Sequence, residues 1–516
     1  MGHIGKVWLA GAGPGDAGLL TVKTEQLIEN ADVIVYDALI SAEILSLIPP
    51  DKEWIYVGKR SGKHELSQEK INQILCEEAL RGKNVLRLKG GDPFIFGRGG
   101  EELELLAEHK IPFEIVPGIS SAAAVPAYAG IPVTHRDYTS SFHVITGHPR
   151  KDGNSQVDYQ ALARLDATLV FLMGITAMEA ICKGLMDAGM DGTTPAAVLE
   201  KGTTAAQRRV VSTVEHLKEE SDKAEIKTPA LIVIGKVCTL SEGFHWAEDR
   251  PLGGRQFLIT RPRESGSLLA ERLRSLGAQV IELPAIVTKE KEDNQQLFDA
   301  LDRMEHEKVQ GWLVFTSPIG VKIFFRQLLK RKMDLRRLFH KSCEIKIAAI
   351  GSATEQALQE HGLFPDLVPE TYCAKNLGEK LAFMADPQSY ILIVRAAQGS
   401  RELIPPLLDA GLTVEDVSLY ETLYQMHPQI RGKIRSMLAG GEIDAITFTS
   451  GSTVRGFVES VGPFGESELE LAAGLTAVCI GEQTAAKAAE LKIPVLVSRE
   501  ASIDSMVELV LEHYKN

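Results

Sequence analysis

Short apolar runs typical of buried strands alternate with segments of helical periodicity along almost the whole of this 516-residue chain. The pattern holds on both sides of a polar stretch, SEGFHWAEDRPLGG (241–254), which separates the strand-like runs ALIVIGKV and RQFLITRP. Such alternation is typical of α/β layers built on mainly parallel sheets, and the length predicts about three or four domains. We therefore predict an α/β protein with one domain boundary at this stretch and another near Gly130, beyond which new strands begin.

The composition excludes several classes of function. The chain carries 56 Lys and Arg residues against 69 Asp and Glu residues, a formal net charge of −13, whereas nucleic acids and anionic membranes attract positive proteins. Its six cysteines are scattered without a CxxC pair, which favours free thiols over a disulfide framework or a zinc site. No apolar run approaches the ~18 residues of a membrane span, and glycine and proline interrupt the N-terminus too early for a signal peptide. We expect a cytoplasmic protein that binds no metal, nucleic acid or membrane.

A strand that runs into a glycine-rich turn, VWLAGAGPGD (Val7–Asp16), lies near the N-terminus. Glycines there permit a tight turn and the close approach of a ligand to the backbone. A dinucleotide fold is one interpretation, because Asp37 stands roughly 20 residues farther on, where a ribose-binding carboxylate would lie. That motif requires glycine or alanine at its sixth position, which is Asp16 here, and a carboxylate at a helix N-terminus would repel a pyrophosphate. The turn therefore favours another ligand.

A second run, LKGGDPFIFGRGGEE (Leu88–Glu102), places five glycines around one Asp-Pro pair. It is not a P-loop, because the glycine spacing differs and the GK[ST] ending is missing. Backbone without side chains can surround a flat neutral or cationic group through its amides and carbonyls. A third segment, VPGISSAAAVPAYAGIPVTHR (Val116–Arg136), is rich in small residues and is either a similar binding loop or a site of tight helix packing.

These segments and the shorter motifs YDALIS, VGKR and FLMG occur in an order and spacing that closely resemble uroporphyrinogen-III C-methyltransferases. These are tetrapyrrole methylases that use S-adenosylmethionine and release S-adenosylhomocysteine. The resemblance covers about residues 5–246. It implies two α/β domains, 1–129 and 130–246, with the methyl donor in the cleft between them. The residues at its donor-contacting positions are Pro14, Gly90, Gly91, Asp92, Ile95, Ser120, Ser121, Met173 and Gly202.

The same resemblance assigns acid–base roles to Asp37 and Lys59. A sulfonium methyl group is already activated, so positioning can supply much of the rate, while a base removes the proton that the macrocycle loses. Three other interpretations stay open: Asp37 could cap a helix, Lys59 could be a solvated surface charge, or both residues could orient substrate. Because uroporphyrinogen carries eight carboxylates, we expect the local positive charges to bind substrate. The positively charged residues expected to bind substrate are Arg60, Lys63 and Arg136, together with Lys59.

The C-terminal part contains an internal repeat. FLITR, ending at Arg261, resembles ILIVR, ending at Arg395, and FTSPIGV (Phe315–Val321) resembles FTSGSTV (Phe448–Val454). AAIGSATEQAL likewise resembles AVCIGEQTAAKA. Three matches in the same order indicate two duplicated α/β lobes, with chance similarity of strand–turn–helix units as the alternative. Polar residues at the strand ends predict a ligand in the cleft between the lobes, since open α/β sheets bind ligands at the carboxyl ends of their strands.

These motifs, together with IVRAAQGSRELIPPLLDAGLTV and LYET, resemble uroporphyrinogen-III synthases. After a linker at 247–254, the resemblance implies a synthase over 255–516, with one lobe of 255–286 plus 423–516, another of 287–422 and a two-stranded hinge. It also implies that linear hydroxymethylbilane is closed with inversion of its last ring and loss of water, without a metal or organic cofactor. Tyr420 is the candidate proton donor, and a core tyrosine is the alternative. The residues expected to bind substrate are Arg261, Thr316, Ser317, Thr354, Arg395, Thr449 and Ser450.

The sequence thus predicts a bifunctional enzyme that makes uroporphyrinogen III from hydroxymethylbilane and then precorrin-2 through two methyl transfers. One alternative is an active methyltransferase with a catalytically silent, synthase-like binding module. Another is a nicotinamide-dependent dehydrogenase fused to a ligand-binding module. Resemblance to the transferases further implies a homodimer.

Overall fold

A computed structural model gives the fold of the chain and describes residues 3–58, 66–147, 157–260, 267–283, 287–306, 310–339, 345–423, 426–462 and 475–515. The chain forms two compact units, Met1–Ala285 with Gln425–Asn516, and Ile286–Tyr424. The described residues of the two units form four five-stranded sheets with helices packed against them, so the predicted α/β fold class is confirmed. Within the described ranges, no helix has the length and apolar character needed to cross a membrane.

The N-terminal part forms a fully parallel sheet. Its strands are β1 (Val7–Gly11), β2 (Val33–Tyr36), β3 (Glu53–Tyr56), β4 (Val85–Lys89) and β5 (Phe113–Val116). Its helices are α1 (Val22–Asn30), α2 (Ala42–Ser46), α3 (Gln68–Leu80), α4 (Gly99–Glu108) and α5 (Ser121–Tyr128). The strands lie in the order β3-β2-β4-β1-β5. Strand β2, with the sequence VIVY, is buried along its whole length, as expected for a parallel sheet covered on both faces.

The next part forms a mixed sheet in the order β6-β7-β10-β8-β9. Its strands are β6 (Phe142–Thr146), β7 (Thr168–Leu172), β8 (Pro195–Glu200), β9 (Arg208–Thr213) and β10 (Ala230–Ile234). Its helices are α6 (Tyr159–Ala163), α7 (Met178–Asp187), α8 (Leu217–Lys223) and α9 (Ser241–Phe244). Only β6 and β7 pair in parallel. This sheet is the exception to the predicted, mainly parallel arrangement, and the short connection 201–207 between β8 and β9 permits only antiparallel pairing of those two strands.

The first compact unit is completed by a parallel sheet in the order β12-β11-β18-β19-β20, which we call lobe one. Its strands are β11 (Gln256–Ile259), β12 (Gln279–Glu282), β18 (Ala445–Phe448), β19 (Thr476–Cys479) and β20 (Val495–Val497). Its helices are α10 (Leu268–Ser275), α16 (Pro428–Ala439), α17 (Gly451–Val461), α18 (Glu482–Ala488) and α19 (Ile503–Tyr514). The segment before it, predicted as a linker, is packed, since Leu252 is fully buried in the core of lobe one.

The second compact unit, which we call lobe two, contains a sheet in the order β13-β17-β16-β14-β15. Its strands are β13 (Val287–Glu290), β14 (Gly311–Phe315), β15 (Ile345–Ala349), β16 (Tyr390–Ala396) and β17 (Thr413–Leu423). Its helices are α11 (Gln295–His306), α12 (Pro318–Lys330), α13 (Ser352–Gln359), α14 (Ala374–Met384) and α15 (Ile404–Asp409). All pairs are parallel except that of β13 with β17.

The repeated motifs occupy equivalent strands of the two lobes. In lobe one, β11 lies beside β18 and β18 beside β19, and these strands carry FLI, ITF and AVC. In lobe two, the corresponding neighbours are β16, β14 and β15, which carry ILIVR, LVF and IAA. The helices that follow the second and third strands of each set, α17 and α18 or α12 and α13, begin at equivalent points. The two lobes therefore share one local topology.

Candidate active sites

Three glycine-containing loops meet at the carboxyl end of the first sheet. A Cβ atom at Gly118 would lie 2.2 Å from the carbonyl oxygen of Gly91, and one at Gly11 would lie 2.5 Å from the Cα of Gly118. Any side chain at either position would therefore separate the loops. The sequence contains glycine at these points because the three backbones are in direct contact.

Hydrogen bonds fix these loops to one another. Gly13 and Gly91 exchange two backbone hydrogen bonds of 3.2 and 2.7 Å. The Asp92 carboxylate accepts from the Phe94 N–H at 2.8 Å and from the Gly118 N–H at 3.0 Å, so it joins the second loop to the third. Ser120 accepts from the Ala122 N–H and forms the N-cap of α5.

The space beside Gly91 is open. Its φ is +67°, and an added Cβ would have only the Ser121 nitrogen within 4 Å, at 3.9 Å. Most L-residues avoid this left-handed conformation, so glycine serves two purposes here: it adopts the backbone geometry and leaves the adjoining volume free. The site is a cradle of backbone groups that a side chain would fill.

The second domain contributes a loop to the same region. Gly202 packs so closely on α5 that an added Cβ would lie 2.2 Å from Val125 Cγ1. The next residue, Thr203, has a φ of +66° and accepts a hydrogen bond of 3.3 Å from the Asp16 N–H. Met173, at the end of β7, also has a positive φ of +56° and is 45% exposed. Strained non-glycine residues of this kind cluster at functional sites.

The structure brings together most of the predicted donor-binding residues. The set that lies on the three N-terminal loops and the 201–205 turn comprises Pro14, Gly90, Gly91, Asp92, Ile95, Ser120, Ser121 and Gly202. Met173 lies on a separate loop of the second domain. Gly90 also borders the segment after β2, since an added Cβ would lie 2.7 Å from Leu39 Cβ. This segment carries Asp37, so the predicted catalytic carboxylate flanks the glycine cradle.

Asp37 belongs to a partly buried network of charges. Its Oδ2 accepts from Arg87 Nη2 at 3.1 Å, and its Oδ1 accepts from the Leu39 N–H at 3.1 Å. Arg87 is almost wholly buried and also reaches Glu102 Oε1 at 3.3 Å, which in turn accepts from Lys89 Nζ at 2.7 Å. Burial lowers the pKa of Lys89, as does the neighbouring charge of Arg87. Asp37 therefore has a fixed orientation, with 23% of its side chain exposed.

Sequence reasoning missed Arg87, Lys89 and Glu102. The sequence does contain a signal for them, because two cations alternate inside the otherwise apolar strand VLRLK and a strand buried on both faces rarely holds unpaired charges.

The alternative interpretation that Asp37 caps a helix is wrong for α2, because the N-cap of this helix is Ser41, whose hydroxyl accepts from the Ile44 N–H. Asp37 instead accepts an N–H within the preceding turn.

Apolar side chains are exposed around this region. Leu39 is 62% exposed, Phe94 is 55% exposed and Phe96 is 43% exposed. Exposed apolar groups on neighbouring loops are typical of a surface that a ligand covers. Arg136, predicted to bind substrate, is exposed on the segment after α5. The predicted residues Lys59, Arg60 and Lys63 lie outside the described residues.

In lobe two, Tyr420 and Ser317 are in contact. Their hydroxyl oxygens are 2.9 Å apart, and the Ser317 hydroxyl also accepts from the Gly320 N–H at the start of α12. Tyr420 lies on β17 with only 6% of its surface exposed, and burial raises the pKa of its phenol. The Tyr420 hydroxyl is thus held within β17 by its contact with Ser317, in which either hydroxyl can be the donor.

The other predicted synthase residues differ in their surroundings. Arg395 is almost completely buried and donates to Asp416 Oδ1 at 2.6 Å and to the Ser400 carbonyl at 2.8 Å. Thr354 is 2% exposed, whereas Thr316, beside Ser317, is half-buried. In lobe one, Thr449 and Ser450 are half-buried at the end of β18, where Ser450 forms a capping box with Thr453. Arg261 lies outside the described residues.

The chain is similar to two families of tetrapyrrole enzymes. The model described as tetrapyrrole (corrin/porphyrin) methylases matches residues 6–218, and that described as uroporphyrinogen-III synthase HemD matches residues 267–508. The porphyrin biosynthesis protein HemD of Ruminiclostridium josui is 44% identical over 508 residues, which cover 98% of each chain.

Other relatives match part of the chain. The uroporphyrinogen-III C-methyltransferase of Bacillus subtilis is 41% identical over 357 residues, 69% of this chain and 71% of that protein. Siroheme synthase 2 of Yersinia enterocolitica is 51% identical over 242 residues, 47% of this chain and 50% of that protein. A Thermus thermophilus uroporphyrin-III C-methyltransferase, solved with S-adenosylhomocysteine, is 39% identical, covers 46% of this chain and 100% of its own, and has a TM-score of 0.40.

The two family matches follow one another along the chain. The relative from Ruminiclostridium josui aligns with almost the whole of this chain, and so with both matched regions. The methylase match contains the glycine cradle and Asp37, and the synthase match contains Tyr420 and the two repeated lobes. The chain therefore belongs to the family of bifunctional tetrapyrrole-biosynthesis enzymes in which a uroporphyrinogen-III C-methyltransferase is joined to a uroporphyrinogen-III synthase.

Proposed function

We propose that this enzyme closes hydroxymethylbilane to uroporphyrinogen III with its synthase lobes and methylates that product twice with its methylase domains, giving precorrin-2. The observation that carries the proposal is the glycine cradle beside Gly91, which borders the segment of Asp37. A donor pocket and a candidate base thus lie next to each other. We further propose the domain limits 1–129, 130–246 and 255–516, with lobes divided at 286/287 and 422/423.

The cradle fits S-adenosylmethionine. The volume that a side chain at Gly91 would fill is open, and the backbone groups of residues 90–92 and 120–121 border it. Carbonyls and amides of this kind can hold the polar parts of an adenosyl group and an amino acid without a charged side chain. When bound, S-adenosylmethionine supplies an activated methyl group. The proposed residues that bind the methyl donor are Pro14, Gly90, Gly91, Asp92, Ile95, Ser120, Ser121, Met173 and Gly202.

Asp37 is the proposed base for the proton that the macrocycle loses on methylation. Arg87 holds one carboxylate oxygen at 3.1 Å, and the Leu39 N–H holds the other. These contacts fix the orientation of the carboxylate, while the exposed quarter of the side chain leaves it accessible. Because general acid–base catalysis depends on such placement, Arg87 is a positioning residue. Lys59 remains a predicted partner in this chemistry.

The proposed substrate surface combines apolar and basic side chains. A tetrapyrrole presents an apolar ring system with carboxylates at its edge, so it fits exposed groups such as Leu39, Phe94 and Phe96, bordered by cations. Arg136 is one such cation, and Arg60 and Lys63 are predicted to be others. At an effective dielectric constant of 20, each close pair of a cation and a substrate carboxylate contributes up to ~4 kcal/mol before screening.

In the synthase part, we propose that Tyr420 donates a proton to the departing hydroxide of hydroxymethylbilane. Burial raises the pKa of its phenol, so the group stays protonated at neutral pH, and the contact with Ser317 orients its hydroxyl. Hydroxide is a poor leaving group without such a proton. The proposed substrate-binding set consists of Arg261, Thr316, Ser317, Thr354, Arg395, Thr449 and Ser450.

The product isomer tests the whole proposal, because hydroxymethylbilane closes without an enzyme to the symmetric type I isomer. We expect the purified chain, incubated anaerobically with hydroxymethylbilane alone, to give the type III isomer. Adding S-adenosylmethionine should then give the dimethylated product. Type I product alone would refute the synthase activity, and type III product that stays unmethylated would refute the methyltransferase activity.

We also propose that the protein is a cytoplasmic homodimer. The dimer is supported by the resemblance of residues 5–246 to the methyltransferases, and the location by the free state of the described cysteines, four of which are buried. Light scattering on the purified chain should give twice the 56.3 kDa chain mass, and fractionation should place the protein in the cytosol. A monomer, or secretion of the chain, would contradict the respective proposal.

A further inference from the structure

Within the first compact unit, lobe one and the N-terminal methylase domain share a hydrophobic core. One continuous cluster of buried side chains contains Ile40 and Ile44 of the methylase together with Ile281, Ile430 and Ile434 of lobe one. Helix α2 is buried at every residue, and it packs on β12 and α16 of lobe one. Lobe one and the N-terminal methylase domain are therefore packed on each other and are not merely connected by a linker.

Polar contacts give this junction a single register. Glu43 on α2 is 2% exposed and accepts from Arg274 Nε at 2.9 Å. Lys433 on α16 donates to the carbonyl of Ile40 at 2.6 Å. Rings of Trp54 and His427 stack with centroids 4.2 Å apart and an interplanar angle of 12°. Loss of Arg274 or Lys433 from the first two pairs would remove a hydrogen-bond donor from the Glu43 carboxylate or the Ile40 carbonyl.

One contact from lobe one reaches the 201–205 turn directly. The side-chain carbonyl of Gln279, the first residue of β12, accepts a hydrogen bond of 2.9 Å from the Ala205 N–H. Two residues earlier in the turn, Thr203 accepts from the Asp16 N–H, and Tyr128 donates to the Asp16 carboxylate at 2.7 Å. The turn thus lies between Gln279 on one side and the loop of Pro14 on the other.

We propose that Gln279 of the synthase is a positioning residue of the methyl-donor site. By holding Ala205, it fixes the 201–205 turn, whose Gly202 packs on α5 and whose Thr203 binds the loop that contains Pro14. The inference rests on the proposed function, because these residues matter for affinity only if the donor binds there. It makes donor affinity a property of the joined chain and not of the methylase domains alone.

The surroundings of Gln279 allow a clean test. A cavity of about 350 Å³ lies beside it, lined among others by Asp16, Arg250 and Arg274, so a substituted side chain has room to relax. Gln279→Met keeps the length of the side chain but removes the acceptor, and Gln279→Glu keeps the acceptor. Gln256→Met is the matched control, because Gln256 is the cross-strand neighbour of Gln279 and bonds the Glu442 carbonyl inside lobe one.

The measurement is calorimetric binding of S-adenosylhomocysteine to the full chain, with steady-state methylation as a second readout. Loss of one hydrogen bond that holds a loop predicts a threefold to tenfold weaker affinity. We expect this loss for Gln279→Met, together with a matching rise in the KM for S-adenosylmethionine and an unchanged kcat. Gln279→Glu and Gln256→Met should bind within twofold of the wild type, and all variants should form type III isomer at the normal rate.

The outcomes separate this inference from the function on which it rests. If the wild type binds S-adenosylhomocysteine and Gln279→Met binds it equally well, the positioning role is refuted and the donor site stands. Equal losses for Gln279→Met and Gln256→Met would also overturn it, because they would reflect general weakening of lobe one. A wild type that does not bind S-adenosylhomocysteine would refute the donor site and this inference together.

Discussion

Replacing Asp37 with asparagine tests the methylation chemistry most directly. Asparagine keeps the shape of the side chain and one oxygen, which can still accept from the Leu39 N–H, but it loses the oxygen that faces Arg87 and cannot take up a proton. Loss of general base catalysis typically lowers a rate by about 10²–10⁴-fold. We therefore expect kcat for methylation of uroporphyrinogen III to fall within this range, with little change in the affinity for S-adenosylhomocysteine.

The structure also sets the expected effect on stability. Arg87 loses one charged partner but retains Glu102 at 3.3 Å and the Leu88 carbonyl at 3.0 Å. The Asp37 side chain is 23% exposed, so solvent reduces the energy of the pair, and we expect a loss of only about 1 kcal/mol. Asp32→Asn is the matched control, because Asp32 flanks the other end of β2 and accepts only a backbone N–H from Asn84 at 2.8 Å among the described hydrogen bonds.

The assay measures initial rates under anaerobic conditions, over a range of both substrates, for the wild type and both variants. A rise in KM with normal kcat would mean that Asp37 orients the substrate and does not transfer a proton. A kcat within threefold of the wild type, with both KM values unchanged, would remove Asp37 from the chemistry altogether. Equal losses in the Asp32→Asn control would trace the effect to the strand and not to the carboxylate.

Three further predictions concern other parts of the molecule. Gly91→Val forces a β-branched residue into a left-handed conformation and fills the cradle, so calorimetry should show at least a hundredfold loss of S-adenosylhomocysteine affinity; unchanged binding would refute the placement of the donor. Tyr420→Phe should slow formation of the type III isomer and leave methylation of added uroporphyrinogen III intact, and equal losses in both assays would end the assignment. Arg274→Ala breaks a buried ion pair, which costs about 3–5 kcal/mol. Burial raises the pKa of Glu43 and Arg274 lowers it, so without the arginine the folded state binds more protons than the unfolded one and stability falls as pH rises. The loss in melting temperature should therefore be greater near pH 8 than near pH 5, while Arg272→Ala, on the same helix, should show a small and pH-independent loss.

Local sequence was sufficient to predict the glycine cradle. Each loop combines glycine with a strand before it and a helix after it, and both features depend on neighbouring residues. The same holds for the repeated lobes, where FTSPIGV and FTSGSTV carry a strand, a capping serine and a helix start. Strand–turn–helix units of this kind depend mainly on their own residues. Their structural similarity can therefore be predicted from the two sequences without knowledge of their tertiary contacts.

Contacts between distant segments could not be predicted in this way. Arg87 and Glu102 are 15 residues apart, and only the packing of α4 on β4 shows that they form one network with Asp37. Helix α2, with the sequence AEILS, indicates burial, but its covering residues on α16 come almost 400 positions later. The partner of Glu43 is likewise decided by the docking of lobe one, which neither periodicity nor motif spacing records.

The discontinuity of lobe one has a consequence for synthesis of the protein. Strands β11 and β12 leave the ribosome before lobe two, but β18, β19 and β20 follow it, so their sheet cannot close until the last ~90 residues have been made. At roughly 5–20 residues per second, the ~140 residues of lobe two take about 7–28 s to translate. During that interval the apolar surface of α2 has no α16 to cover it. A chain stalled or cleaved in this stretch would thus present a nearly complete methylase with an exposed apolar surface on α2. Premature termination is therefore a greater aggregation hazard here than in two enzymes encoded separately.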